Sequence, residues 1–227
     1  MSDLSRDSKY SLDHLVSSSN VLDEFLEEFN EDHFFEKYNR ELVFNLINFK
    51  EQVKKIEINY LDLLDCHFKD NSFDIITCMN VFEHISDDIE AMKQIKRILR
   101  DDGTAVITVP ACKALYDCFD EILGHFRRYD LEDLIALAQK AELKVISANY
   151  FITLIHPLFW ARKKLNQILY SKKSWQQKKK ITFQLAKKSG NIFLLKWICA
   201  FEQRVEKYIS LRLRYPFGVR CYIQVRK

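Results

Sequence analysis

Three short apolar runs, separated by segments of helical period, constrain this chain more than any other feature. Phe73–Met79 (FDIITCM), Thr104–Val109 (TAVITV) and Lys144–Phe151 (KVISANYF) have strand length and are rich in β-formers. Near-continuous runs such as the first two suit strands buried on both faces. Between them, Ile89, Met92, Ile95, Ile98 and Leu99 form one stripe of a helix expected over Ile85–Leu99. Ser86 is the expected cap, with acids at 87, 88 and 90 and bases at 93, 96, 97 and 100, as a helix dipole favours. Asp101-Asp102-Gly103 is expected to end that helix, with Gly103 in a left-handed turn. A second helix is expected over Leu131–Ala141 before the third run. The order strand, helix, strand, helix, strand implies an α/β fold with a parallel sheet built from right-handed crossovers. Pro216-Phe217-Gly218 then turns the chain into a closing strand, Val219–Val225.

Upstream, residues 1–19 read as a polar, flexible lead-in, and 20–227 as a single domain. Val21, Leu22, Phe25, Leu26 and Phe29 recur at helical spacing behind Asn20, and a second helical run carries Phe34 to Ile47. Lys55–Leu61 (KIEINYL) alternates with period two, as a strand does. Residues 157–214 read as a basic helical insertion before the last strand. Its Lys-rich stretch at 172–180 is expected to be exposed and mobile.

Charge is divided along the chain. Residues 1–160 carry 17 Lys/Arg against 30 Asp/Glu, whereas 161–227 carry 18 against 2, within an overall +3. Regions of opposite sign attract each other, and a basic segment also suits an anionic membrane surface or another phosphate-bearing partner. Trp160, Trp175 and Trp197 are interspersed there and suit either interfacial contact or core packing. The six cysteines, at 66, 78, 112, 118, 199 and 221, include no C-x-x-C pair and are expected as free thiols in a reducing compartment. The first nineteen residues hold no secretory h-region. The longest apolar stretch, Ile192–Phe201, has ten residues and includes Lys196, too short to span a bilayer. A soluble, cytoplasmic protein is expected, with peripheral attachment to membrane as an open alternative.

In an open parallel sheet, ligands bind at the carboxyl ends of the strands. Three such ends are polar: Asp62-Leu63-Leu64-Asp65; Asn80-Val81-Phe82-Glu83-His84; and Val109-Pro110-Ala111 followed by Tyr116, Asp120 and Gly124-His125-Phe126-Arg127-Arg128-Tyr129. Cys66/His67 and Cys118 with His125 lack further ligands at metal spacing, so no metal site is expected.

The runs NSFDIITCMNVFEHISDD, IKRILRDDGTAVITVPA and DEILGHFRRYDLEDL, in that order, resemble class I S-adenosylmethionine-dependent methyltransferases of the small-molecule and lipid-modifying type. The likeness is good over about 55–155 and looser over 30–48 and 202–227. It implies a Rossmann-like methyltransferase sheet, truncated at its front, of parallel strands closed by an antiparallel C-terminal strand. It implies S-adenosylmethionine as cofactor, with Asp62 accepting from the adenine amino group and Leu63 offering a backbone N–H. Cys78, Met79 and Asn80 would line the cofactor's floor, with His84 at its mouth. His125, Arg127, Arg128 and Tyr129 would face a small-molecule or lipid- or glycan-linked acceptor, the paired arginines suiting a phosphate or carboxylate. For Arg127 and Arg128 the competing reading is pairing with the acids at 130, 132 and 133. For Glu83-His84 it is capping of the next helix.

The same resemblance calls for a glycine-rich turn after the first strand, where the backbone approaches the cofactor. The chain has glycines only at 103, 124, 190 and 218. Between the helical run at 34–47 and the strand at 55–61 there is no room for the missing strand, loop and helices. An internal deletion is the simplest reading, and the ribose-binding acid has no counterpart. Two functions follow: an enzyme whose lost contacts are replaced locally or by a partner chain, or a non-catalytic methyltransferase-like binding protein.

Overall fold

The computed structural model describes residues 62–181, 201–202 and 214–227. The expected lead-in, the helices at 21–29 and 34–47, the strand at 55–61 and most of the expected insertion lie outside the described residues.

Four strands form one sheet: β1 (Phe73–Met79), β2 (Leu99–Pro110), β3 (Lys144–Phe151) and β4 (Arg220–Arg226). Their spatial order is β1-β2-β4-β3. β1 and β2 are parallel, whereas β4 runs antiparallel to both β2 and β3. The chain is therefore α/β, a Rossmann-like sheet with its last strand reversed. Helices α1 (Asp88–Ile98), α2 (Cys118–Ile122), α3 (Leu131–Lys140) and α4 (His156–Tyr170) lie between the strands in sequence.

β2 and β4 are the buried centre. On one face Ala105, Ile107, Val109, Cys221, Ile223 and Val225 meet Met92 and Ile95 of α1 and Leu134 and Ala138 of α3. Their neighbours Val106, Thr108 and Tyr222 are buried on the opposite face, so β2 has the double burial that its run implied. β1 differs from expectation. Its Asp74, Ile75 and Thr77 are exposed, and Cys78 is its single buried residue.

Two expectations around α1 are corrected. Asp87, not Ser86, caps the helix, its Oδ1 accepting from Glu90 N at 3.1 Å. An acid satisfies an orphan N–H and also meets the positive end of the dipole, which a hydroxyl does only in part. Gly103 is not in a left-handed turn; the helix ends on extended Leu99, and Gly103 lies within β2. A Cβ there would sit 2.8 Å from the Leu99 side chain and 2.9 Å from the Arg100 carbonyl, so close approach requires the glycine. At the far end of α1, Arg97 donates to the carbonyls of Cys66 and Phe68 and to Asp70, binding the preceding loop to the helix.

Five described cysteines are free thiols, as expected. Residues 171–177 are exposed, and the chain is helical again from 175 to 181, within the helical insertion expected there. No helix among the described residues is long and apolar enough to cross a membrane.

Candidate active site

The carboxyl end of β1 turns sharply. Asn80 takes a left-handed φ of 57°, and its N–H donates to Thr108 O of β2 at 3.1 Å. A short 3-10 turn, Phe82–His84, then carries the chain to α1. β2 ends in the same way, with Cys112 at φ 64° and a 3-10 turn at Lys113–Leu115 before α2. Small polar or cysteine side chains tolerate such backbone better than branched ones.

The segment after α2 returns across these ends. Tyr129 pairs with Ala111 in an isolated bridge, its N–H donating to Pro110 O at 3.0 Å and its carbonyl accepting from Cys112 N at 2.9 Å. Glu83 O accepts from Phe126 N at 2.7 Å, so the loops after β1 and α2 are joined by backbone.

Asp120 is the hub. It is fully buried and accepts from His125 Nδ1 at 2.9 Å, from Arg128 Nε at 2.9 Å on both oxygens, and from Asp117 N at 3.0 Å. Burial opposes its charge, but these donors prevail and hold the carboxyl below the usual carboxylate range. Arg128 is itself buried and reaches Ala111 O at 3.3 Å. Arg127 donates to Asp88 Oδ2 at 2.6 Å and Ser86 O at 2.7 Å. The Tyr129 phenol lies 2.9 Å from the same Asp88 oxygen, and burial with that carboxylate raises its pKa strongly.

The arginines thus pair with Asp88 and Asp120, not with the acids at 130, 132 and 133. One of those acids serves elsewhere: Lys113 meets Asp133 at 2.7 Å. The Arg127 pairing has no local signal, because Asp88 precedes it by 39 residues, whereas Asp120 lies only eight residues before Arg128. Asp120 was legible only as a polar residue near a strand end.

A pocket of about 430 Å³ opens here, lined by Asp88, Lys113, Tyr116, Phe126, Arg127, Arg128 and Tyr129. Three of the four residues expected at the acceptor line it. His125 adjoins the rim residue Phe126, and Tyr116 OH donates to the His125 carbonyl at 2.8 Å. Lys113 escaped sequence reasoning, since a lone lysine carries no signal, and Phe126 entered it only as part of the segment Gly124–Tyr129.

The residues expected at the cofactor are spread more widely. Asp62 is exposed, with Oδ1 accepting from Leu64 N at 2.9 Å, and Leu63 is half-buried in the turn that follows. Met79 is half-buried beside Asn80, whose side-chain oxygen accepts from Arg220 of β4. Cys78 belongs to the core cluster with Met92 and Ile107, and burial pushes its thiol up to about 12. His84 is exposed and meets His125 edge-to-face, with ring centroids 4.7 Å apart. Burial of part of its ring, then repulsion from His125, lowers its pKa. The structure therefore joins one residue expected at the cofactor to one expected at the acceptor.

The sequence profile of a family described as a methyltransferase domain matches residues 19–148, more than half of the chain. The chain belongs to this methyltransferase family. Its motifs and fold agree with S-adenosylmethionine-dependent, class I membership. An uncharacterized protein of Methanocaldococcus jannaschii is 32% identical over 109 residues of this methyltransferase-like chain, 47% of it. The matched part spans 46% of that relative's length. Among solved structures, a methyltransferase candidate of Bacillus halodurans is 15% identical, covering 82% of this chain and 86% of its own, with a TM-score of 0.46. Haemonchus contortus phosphoethanolamine N-methyltransferase 2, solved with S-adenosyl-L-methionine, is 16% identical over 73% of this chain and 36% of its own, at 0.40.

Proposed function

We propose that this methyltransferase-like chain transfers a methyl group from S-adenosylmethionine to a small-molecule or lipid-linked acceptor bearing an anionic group. The observation that carries the reading is the pocket at the strand ends, whose wall holds Lys113, Arg127 and Arg128 with Asp88 as its acid, while Asp133 and Asp120 pair Lys113 and Arg128 from outside that wall. A phosphate or carboxylate suits that balance. Its volume falls within the range of small-molecule sites, roughly 300–1,000 Å³.

The residues present fit one end of the cofactor. Asp62 is an exposed carboxylate acceptor for an adenine amino group, and Asn80 brings a left-handed backbone to the end of β1. When bound, S-adenosylmethionine supplies an electrophilic methyl on a sulfonium. The protein's part is to hold the acceptor in line, within near-attack distance. Asp120 fixes the His125 ring through Nδ1, leaving Nε2 as the position for a proton leaving the acceptor. Lys113 and Arg127, with 55% and 35% of their side chains exposed, are the cations placed to anchor the acceptor's charge.

α4 supports a lipid-linked acceptor. It exposes Leu158, Trp160, Leu165 and Ile168 on a helix that also carries Lys163 and Lys164, a composition suited to an anionic interface.

A second reading rests on the absence of any glycine in the first 102 residues. It makes the protein a non-catalytic binder of the same acceptor class. Calorimetric titration of the folded chain with S-adenosylmethionine separates the two. Micromolar binding removes the second reading. No binding by the isolated chain removes autonomous catalysis, and binding restored by a partner chain would return it. Co-sedimentation with vesicles containing anionic lipid tests the interface; absence of binding at low salt removes the membrane part.

A further inference from the structure

Glu83, His84 and His125 form a cluster of metal-ligand side chains, of which only His125 has a role in the function proposed above. One ligand atom from each lies within 4.8 Å of the others, although 41 residues separate the two histidines in sequence. Glu83 is fully buried, His84 is exposed, and His125 lies between these extremes. The site is thus closed on the carboxylate side and open on the other.

The two imidazoles are placed differently. His125 Nδ1 donates to the buried Asp120, which Arg128 grips in turn. The His84 ring packs edge-to-face on that of His125, with centroids 4.7 Å apart. The frame is fixed as well: Phe126 N donates to Glu83 O, His125 N to Asp120 O, and His84 N to Val81 O. An imidazole that gives one nitrogen to a carboxylate, as His125 does, is arranged as metal-bound histidines are. Two histidines and one glutamate form a ligand set that zinc takes at catalytic sites, with a further position left open.

We infer that Glu83, His84 and His125 bind a divalent transition metal of the zinc class through three protein ligands. Metal–ligand lengths of about 2.0–2.2 Å require the three atoms to draw in by roughly 1 Å, and exposed His84 is the member free to move. The binding does not depend on the proposed function, and a metal held on His125 Nε2 would replace the proton-accepting role given to that atom there. One consequence does rest on that reading: the open position lies beside the rim of the acceptor pocket and would take an acceptor oxygen.

The test uses the full chain, freed of metal by a chelator and titrated with zinc chloride in the absence of S-adenosylmethionine. One equivalent of tight uptake is expected. His84→Ala and His125→Ala should each weaken it at least about tenfold, and Asp120→Asn, which touches no metal, by roughly 10- to 100-fold. Cobalt(II) should give visible bands without the near-ultraviolet band of thiolate ligation. No stoichiometric uptake, uptake unchanged in His84→Ala, or a thiolate band would each overturn the inference. Exposed His84 carries the test if the His125 variant fails to fold by circular dichroism.

Discussion

At the scale of single residues, a buried ion pair and its exposed neighbour do different work. Arg128 and Asp120 have almost no solvent contact, whereas the Arg127 side chain is one-third exposed. Arg128→Ala would strand a buried carboxylate and should destabilise the fold by about 3–5 kcal/mol, read from urea unfolding. Arg127→Ala should cost no more than about 1 kcal/mol and raise the KM for an anionic acceptor. Equal costs for the two would show that the guanidinium of Arg128 is not sealed from water. The thiols provide a pH-dependent check. Burial raises Cys78 to about 12 and Cys118 to about 11, and raises Cys221 further. A raised thiol holds less thiolate at any lower pH, and thiolate is the reactive form. Alkylation at pH 8 followed by mass spectrometry should leave Cys78 and Cys221 unmodified in the folded chain. Cys118 labelling should climb steeply as pH rises toward 11. Rapid labelling of Cys78 would mean that β1 opens readily.

Elements were legible wherever their pattern was local. β1 and β3 lie where their apolar runs placed them, because strand length and β-branching are properties of a few consecutive residues. The cap of α1 was misread because Ser86 and Asp87 are both good caps, and only backbone geometry chooses between them. Asp87→Ala should therefore cost about 1 kcal/mol in thermal unfolding, and Ser86→Ala almost nothing; the reverse result would restore the serine. Gly103 was misread for a related reason. A glycine after a helix and a glycine pressed against Leu99 look identical in sequence. The pocket was half legible, since Arg127 to Tyr129 formed a motif whereas Asp88 and Lys113 met it only through the fold. Gly218 gives a further test of close packing: an added Cβ would collide with the Phe151 carbonyl oxygen and lie 2.9 Å from Phe151 N. Gly218→Ala should destabilise by about 1–3 kcal/mol, measured by chemical denaturation. A neutral outcome would show that the turn before β4 yields easily.

On the scale of the whole molecule, the division of charge sets a global sensitivity. The acidic and basic parts meet directly at Lys227–Asp101, 3.3 Å, and Arg162–Asp117, 3.6 Å. Raising sodium chloride from about 0.05 M to about 0.5 M shortens the screening length from roughly 14 Å to roughly 4 Å. The midpoint of thermal unfolding should fall by several degrees, and a rise would mean that repulsion within each part dominates. The strand order carries a different consequence. β2 and β3 do not touch each other; each pairs with β4, which follows β3 by some seventy residues in sequence. On the ribosome, the sheet must wait for that strand to emerge. Until then β2 and β3 each present a bare edge, open to pairing with other chains. The nascent protein is thus a natural client for chaperones that shield strand edges, until its keystone arrives from the exit tunnel.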